Sequence, residues 1–225
     1  MRTVTVYLEV GRKRAFASAV DWPGWSRSGR DEESALQALL ACGPRYAQAL
    51  RGTGIEFQAP AEVSGFVVTE RLEGNATTDF GAPAIVPKAD GRPMDQTELE
   101  RSRTLLQACW QAFDSAVQRA TGKALRKGPR GGGRDLEKIV RHVVEADQAY
   151  LRRLAWRQKG ADEADLAEAL RQTRQDILSA LEVAVNEGLP AQGPRGGTIW
   201  PPRYFIRRVA WHVLDHAWEI EDRID

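Results

Sequence analysis

The sequence has few cysteines to form disulfides and no long apolar segment to insert into a membrane. Only two cysteines occur in 225 residues, Cys42 and Cys109, and two are too few for a disulfide framework. No apolar run approaches the ~20 residues that span a bilayer. The N-terminus has no apolar stretch of the signal-peptide type. These absences predict reduced thiols, a cytoplasmic location and no membrane contact.

An excess of charge of either sign is also missing. The chain has 32 Lys and Arg against 31 Asp and Glu, a formal net charge of +1. Bulk electrostatics therefore do not favour nucleic acid or an anionic membrane surface as a partner. Hydrophobic residues make up 42% and charged residues 28%, as in ordinary globular proteins. A chain of this length can bury two separate cores.

The first 80 residues predict a mixed α/β domain. Apolar and polar residues alternate from Val4 to Val10, which is the period of a strand, and residues 15–20 can return as a second strand. Asp31 can cap a helix with an acidic first turn. We expect Gly43-Pro44 to interrupt that helix. Residues 63–72 predict a further strand.

This order of strand, strand, Pro-Gly turn, acidic-capped helix and strand resembles the HicB-like antitoxin fold. The resemblance covers about residues 1–75 and is carried by Ala19 to Trp25, Ser28-Gly29 and Asp31 to Leu36. Antitoxins of that family usually carry a DNA-binding element after this domain, and none is evident in the sequence. We therefore expect residues 1–80 to form a small docking or lid domain without chemistry of its own.

The remainder divides into a connection and a helical domain. Residues 81–94 contain three prolines and predict a linker. From residue 95 onwards the apolar period is helical, with expected starts near residues 95, 135, 162 and 201 and an end near Arg223. Four helices joined by short to medium loops predict an all-α, up-down four-helix bundle over 95–225.

The chain has only three histidines, and all lie in the predicted bundle. His212 and His216 are four residues apart, which places both imidazoles on one helix face. His142 lies on the inward face of the second predicted helix. If that helix and the last one run parallel, the three lie at similar depth from one bundle end and converge across the core. Three imidazoles suit Zn²⁺, Ni²⁺ or Fe²⁺ and leave positions open for water or substrate.

The pattern alone leaves two interpretations of these histidines open. They either bind a metal or, as buried histidines often do, only hydrogen-bond a neighbour in a bundle without metal. Two metal chemistries are excluded. Val213 stands where the HExxH protease motif has its glutamate base, and the Glu-x-x-His pairing of di-iron carboxylate bundles is absent. The general base is unassigned.

Residues 139–150 and 206–216 are similar to the first-ligand helix and the closing HxxxH helix of the DinB/YfiT-like metalloprotein superfamily. The resemblance covers about residues 95–225 and implies a four-helix bundle with one divalent metal on His142, His212 and His216. Characterised members resemble metal-dependent hydrolases and transferases that act with low-molecular-weight thiols such as mycothiol or bacillithiol. The resemblance thus implies a thiol-dependent transferase or hydrolase with a small-molecule substrate.

A function from another class also fits the sequence. In this alternative the protein is a non-catalytic, stress-related or regulatory binding protein, with a structural metal in the bundle and a partner-binding HicB-like domain. Homodimerisation is compatible with both domains.

A short repeat, Gly-Pro-Arg-Gly-Gly, precedes the second and the fourth predicted helix. In an up-down bundle both copies lie at the same end, beside two helix N-termini that favour anions. Arg130 and Arg195 are therefore candidates to hold a substrate carboxylate, since a guanidinium forms bidentate pairs. Two flexible glycine loops without a binding role are the alternative.

Further candidates surround the histidines. Tyr204 and Trp211 could line an apolar substrate pocket, although such residues more often form ordinary core. Glu145 and Glu219 each follow a histidine by three residues, which suits a carboxylate that hydrogen-bonds a metal-ligating imidazole.

Overall fold

The computed structural model describes residues 3–127, 133–157, 165–193 and 196–224. The chain forms two compact units, Met1–Arg92 and Pro93–Asp225. The division falls within residues 81–94, where a connection between domains is expected. Among the described residues, no helix is long and apolar enough to cross a membrane.

The first unit is built on a four-stranded sheet. Its strands are β1 (Val4–Val10), β2 (Ala15–Ala19), β3 (Ser26–Gly29) and β4 (Phe66–Glu73). They lie in the order β3-β2-β1-β4, with β1 parallel to β4 and the other neighbours antiparallel. The predicted α/β character is confirmed. The short strand β3 was not expected, because a four-residue polar segment has no apolar alternation to reveal it.

Helix α1 (Glu32–Ala49) begins where the sequence predicts. The Asp31 side chain accepts a hydrogen bond from the backbone N–H of Ser34, and the Ser34 hydroxyl oxygen accepts one from the backbone N–H of Asp31.

The expected interruption of α1 at Gly43-Pro44 is wrong, because the helix runs through both residues. A Cβ on Gly43 would lie 2.8 Å from Ala59, so the backbone is tightly packed there. Tyr46, beyond the proline, is fully buried. Tertiary packing on both sides of Pro44 therefore offsets the lost backbone hydrogen bond.

The core of this unit is centred on Trp25. Its indole N–H donates to the Leu39 carbonyl at 2.9 Å, within α1. Its ring stacks on Tyr46 at 6.0 Å and meets Phe57 edge-on at 4.9 Å, with Phe66 at 5.7 Å. The Pro-Gly turn before Trp25 thus delivers an aromatic anchor between sheet and helix.

A buried carboxyl group holds the end of the first unit in place. Glu9 on β1 is fully buried and accepts hydrogen bonds from the backbone N–H groups of Ala84 and Ile85 and from the Thr78 hydroxyl. Thr78 lies on the short helix α2 (Ala76–Phe80), which Asn75 caps. Residues 76–85 are therefore fixed to the sheet by one side chain.

The second unit consists mainly of four long helices. They are α3 (Gln96–Ala120), α4 (Leu136–Leu151), α5 (Leu166–Asn186) and α6 (Pro202–Arg223). The first three begin at the aspartate caps Asp95, Asp135 and Asp165, and α6 begins at Pro202. Short 3-10 turns lie at Val63–Gly65 and Lys88–Gly91 in the first unit and at Arg152–Leu154 in the second.

Ion pairs give the relative directions of α3, α5 and α6. Glu98 and Arg119, at the two ends of α3, pair with Arg203 and Glu221 at the matching ends of α6, so these helices run parallel. By contrast, Arg103 near the start of α3 pairs with Glu182 near the end of α5, which makes α3 and α5 antiparallel.

Helix α4 runs antiparallel to α6. Arg223 at the end of α6 contacts Arg134, just before α4, and Arg208 in the first half of α6 contacts Tyr150 at the end of α4. The predicted alternation of up and down helices is therefore wrong, since α4 and α5 run parallel.

We expect Glu9→Ala to lower the free energy of unfolding of the first unit by about 3–5 kcal/mol, because the buried Thr78 hydroxyl and two half-buried backbone N–H groups lose their acceptor. The unit's stability can be followed in urea by hydrogen exchange of peptides from residues 3–92. Glu73→Ala, an exposed carboxylate on β4, is the matched control. A Glu9→Ala midpoint equal to that control would contradict the assignment.

Candidate metal centre

The three histidines meet where α4 packs on α6. Their ligand atoms all lie within 4.8 Å of one another, and no other group of three or more His, Cys, Asp or Glu side chains within the described ranges does so. Nε2 of His212 is 3.3 Å from Nε2 of His142. The ring centroids of His142 and His216 are 5.0 Å apart. His212 and His216 are buried and His142 is half-buried.

Opposite helix directions bring these residues to one level. His142 lies in the first half of α4 and His216 in the last third of α6. At ~1.5 Å per residue each is roughly 10 Å from the helix end that the two helices share. The expected convergence is therefore present, but α4 and α6 are antiparallel neighbours and not the parallel diagonal pair from which it was predicted.

The surroundings favour neutral imidazoles. Burial lowers the pKa of His142, and the nearby His216 and Arg134 lower it further. Burial also lowers the pKa of His212 well below its ordinary value, with additional effects from the other two histidines and Arg208. A neutral imidazole has a free lone pair, which is the form that binds a metal.

A carboxylate fixes the orientation of His216. Nδ1 of His216 lies 2.8 Å from Oε2 of Glu219, and Oε1 of Glu219 accepts from Nη1 of Arg223 at 2.6 Å. The hydrogen bond from His216 lowers the pKa of Glu219 despite its partial burial. Because Nδ1 is used in this way, Nε2 is the nitrogen of His216 left for a ligand role.

The three residues fit a divalent transition metal. Two imidazole nitrogens on a tetrahedral zinc ion are about 3.4 Å apart, and the His142–His212 separation is 3.3 Å. Nδ1 of His212 is buried without a hydrogen-bond partner among the described residues, so this ring is not tied to a protein group through that atom. All three donors are of the nitrogen type that Zn²⁺, Ni²⁺ and Fe²⁺ accept.

Comparison with known protein families agrees with this geometry. A family model described as the DinB superfamily matches residues 105–220. The chain belongs to the DinB superfamily. This is a metal-binding family with enzyme members. No curated protein and no solved structure matches the chain.

The DinB match begins within α3 and does not reach the first unit. The HicB-like resemblance of residues 1–75 therefore stays a prediction. The observed sheet contains the expected order of strands and helix, with β3 added before α1.

Aromatic residues and a buried arginine border the DinB histidine cluster. Nη2 of Arg208 donates to the Tyr150 hydroxyl at 3.0 Å, and the guanidinium carbon lies 4.9 Å from the Trp211 ring centroid. The Tyr150 ring is 5.8 Å from His212. Burial raises the pKa of Tyr150, so it is a neutral phenol at physiological pH.

Tyr150 and Arg208 were missed in the sequence. Each had a signal: Tyr150 follows His142 by eight residues, about two turns, and Arg208 precedes His212 by four. Of the predicted pocket residues, Trp211 lies beside His212 at 6.1 Å. Tyr204 is only 2% exposed and meets Trp200 edge-on. Their role toward a substrate stays a prediction.

Arg130 and Arg195 lie outside the described residues. The flanks of their loops are at opposite ends of the helices: Gly133 contacts Arg223 at the end of α6. Trp200, just before α6, donates from its backbone N–H to Arg153 after α4. The starts of α4 and α6 therefore lie at opposite ends of the two helices. The anion-binding role of the two arginines stays a prediction.

The two predicted carboxylates differ. Glu219 contacts His216 directly, whereas Glu145 is exposed and its charge only opposes part of the lowering of the His142 pKa. Cys109 is a buried residue of α3. Burial raises the pKa of its side chain to about 12, which keeps it in the thiol form.

Asp147 is a second unusual group on α4. It is 1% exposed, and neither carboxyl oxygen has a hydrogen-bond partner among the described residues. Burial raises its pKa to about 8, although the charge of Arg174 opposes this. The carboxyl group is therefore protonated in the folded protein at neutral pH and ionised in the unfolded chain.

Because the folded-state pKa of Asp147 is raised, its contribution to stability is complete below pH 4 and is lost as the pH rises toward 8. We expect the free energy of unfolding to fall by up to about 1.4 kcal/mol per pH unit in this window. Asp147→Asn, which stays neutral, should remove this slope and be more stable than the wild type at pH 8. Urea unfolding from pH 4 to 9 measures both.

Glu137→Gln, at an exposed carboxylate on the same helix, is the control and should keep the wild-type slope. An unchanged slope in Asp147→Asn would contradict a buried, protonated Asp147.

Proposed function

We propose that this DinB protein is a metal-dependent enzyme that uses one divalent ion on His142, His212 and His216. In this proposal a low-molecular-weight thiol, of the mycothiol or bacillithiol type, or water attacks a small electrophilic substrate. When bound, the ion supplies Lewis acidity that favours the thiolate or hydroxide form of the attacking group at neutral pH.

The number of protein ligands carries the proposal. Structural zinc sites are closed by four protein side chains, whereas catalytic sites use three and keep a position for water or substrate. The cluster has three histidines and no fourth His, Cys, Asp or Glu within the described ranges. This favours an enzyme over a purely structural metal.

The residues around the cluster have distinct tasks in this proposal. Glu219 holds the His216 ring through Nδ1, so that Nε2 faces the other imidazoles. Arg208 donates to the oxygen of Tyr150, which leaves the phenolic O–H to donate to a group bound near His212. The Trp211 ring, which is 5% exposed, adds apolar surface beside His212 and limits access of water.

Purified without a nickel column and dialysed against excess Zn²⁺, the wild type is expected to retain close to one ion per chain. His212→Ala should reduce the retained ion at least tenfold, because two imidazoles cannot hold it as three do. Elemental analysis measures both. Cys109→Ala is the control, since a buried thiol outside the cluster should not affect the metal content.

If the wild type and His212→Ala retain the same substoichiometric amount of metal, the three histidines do not form a metal centre and the proposed function is refuted.

A thiol should enter the coordination of the metal form. With Co²⁺ in place of the native ion, mycothiol or bacillithiol is expected to produce a sulfur-to-metal absorption band in the wild type, because the thiolate takes the open position. His212→Ala treated in the same way is the control and should show no such band.

The absence of any spectral or calorimetric response to either thiol, in protein that binds the metal stoichiometrically, would overturn the thiol part of the proposal. Water would then remain the attacking group.

A further inference from the structure

We propose that Arg223 is a positioning residue that couples the histidine cluster to the chain segment leading into α4. The inference rests on the proposed metal site for part of its test. It assigns a role to a residue at the end of α6 that is not itself a ligand.

The guanidinium of Arg223 makes three hydrogen bonds in three directions. Nη1 donates to Oε1 of Glu219 at 2.6 Å, Nε to the carbonyl of Arg126 at 2.7 Å, and Nη2 to the carbonyl of Arg134 at 2.8 Å. The side chain is only 10% exposed. Each nitrogen therefore has an acceptor in a largely desolvated setting, where charge-assisted bonds are strong.

Two of these acceptors belong to the connection between α3 and α4. Arg126 follows the end of α3, and Arg134 lies directly before the Asp135 cap of α4. The main chain strengthens the contact, because the backbone N–H of Arg126 donates to the Arg223 carbonyl at 2.8 Å. The end of α6 is thus joined to both sides of residues 127–133.

At Gly133 the backbone passes very close to the Arg223 guanidinium. A Cβ at this position would lie 2.6 Å from Nη2 of Arg223, and the residue has a φ of +147°. The backbone can approach the guanidinium this closely only because the residue is glycine.

The third acceptor connects the arginine to the cluster. Glu219 uses one carboxylate oxygen for Arg223 and the other for Nδ1 of His216. His142 lies two turns into α4, downstream of the Arg134 carbonyl that Arg223 holds. One guanidinium therefore fixes the orientation of His216 and the entry of the helix that carries His142.

The test compares Arg223→Gln and Arg223→Lys with Arg119→Gln. Arg119 on α3 is half-exposed and pairs with Glu221, which lies two residues before Arg223 on α6. Two quantities are measured on the full chain: the Kd for Zn²⁺ by competition with a chelator, and the rate of tryptic cleavage after Arg126 and Arg134 in metal-free protein, identified by mass spectrometry.

We expect Arg223→Gln to raise the Kd for Zn²⁺ about tenfold, as loss of a group that orients a ligand does. Cleavage after Arg126 and Arg134 should accelerate at least tenfold. Arg223→Lys should behave similarly, because a single ammonium cannot reproduce the three-way fork. Arg119→Gln should stay within twofold of the wild type in both measurements.

Circular dichroism establishes whether each variant is folded. If Arg223→Gln does not fold, the two measurements on Arg223→Lys decide the test. A folded Arg223 variant that matches Arg119→Gln in Zn²⁺ affinity, or in both cleavage rates, would overturn the coupling. If the wild type binds Zn²⁺ no better than His212→Ala, the metal proposal fails instead. Faster cleavage in the Arg223 variants would then still support the contact with the connection, and equal cleavage would refute it.

Discussion

The antiparallel packing of α4 on α6 is the constraint on which the candidate site depends. His142 lies in the first half of α4 and His216 in the last third of α6, so only opposite helix directions bring them to one level. The same packing places the start of α4 beside the end of α6. Arg223 can therefore reach the chain before α4 while it holds the carboxylate that orients His216.

Helical periodicity identified the correct faces but not the directions of the helices. An apolar stripe has the same period whichever way a helix runs, so it cannot distinguish parallel from antiparallel neighbours. Measured from the start of each helix, the predicted match in depth is between His142 and His212. The real match of His142 and His216 is measured from the start of α4 and the end of α6. The histidines thus converge as expected, although the starts of α4 and α6 lie at opposite ends of the two helices.

The sequence also could not show which charged side chains are buried or contact the histidines. Glu145 and Glu219 have the same spacing from a histidine, and nothing local separates them; only the packed helices leave one exposed and bring the other to His216. Arg208, Arg223 and Asp147 would be placed on the surface by residue type alone. By contrast, the caps Asp31 and Asp135 could be predicted from the sequence, because a cap depends on neighbours three residues away.

The charges around the histidines bear on the thiolate or hydroxide that the proposed function requires. Burial keeps His142 and His212 neutral and Tyr150 protonated. The charge of Glu219 is shared between His216 and Arg223. The charges of Arg208 and Arg134 lower the pKa of His212, whereas those of Glu145 and Glu219 partly oppose the lowering at His142. A bound divalent ion would add positive potential beside these rings, which favours a thiolate or hydroxide over its protonated form.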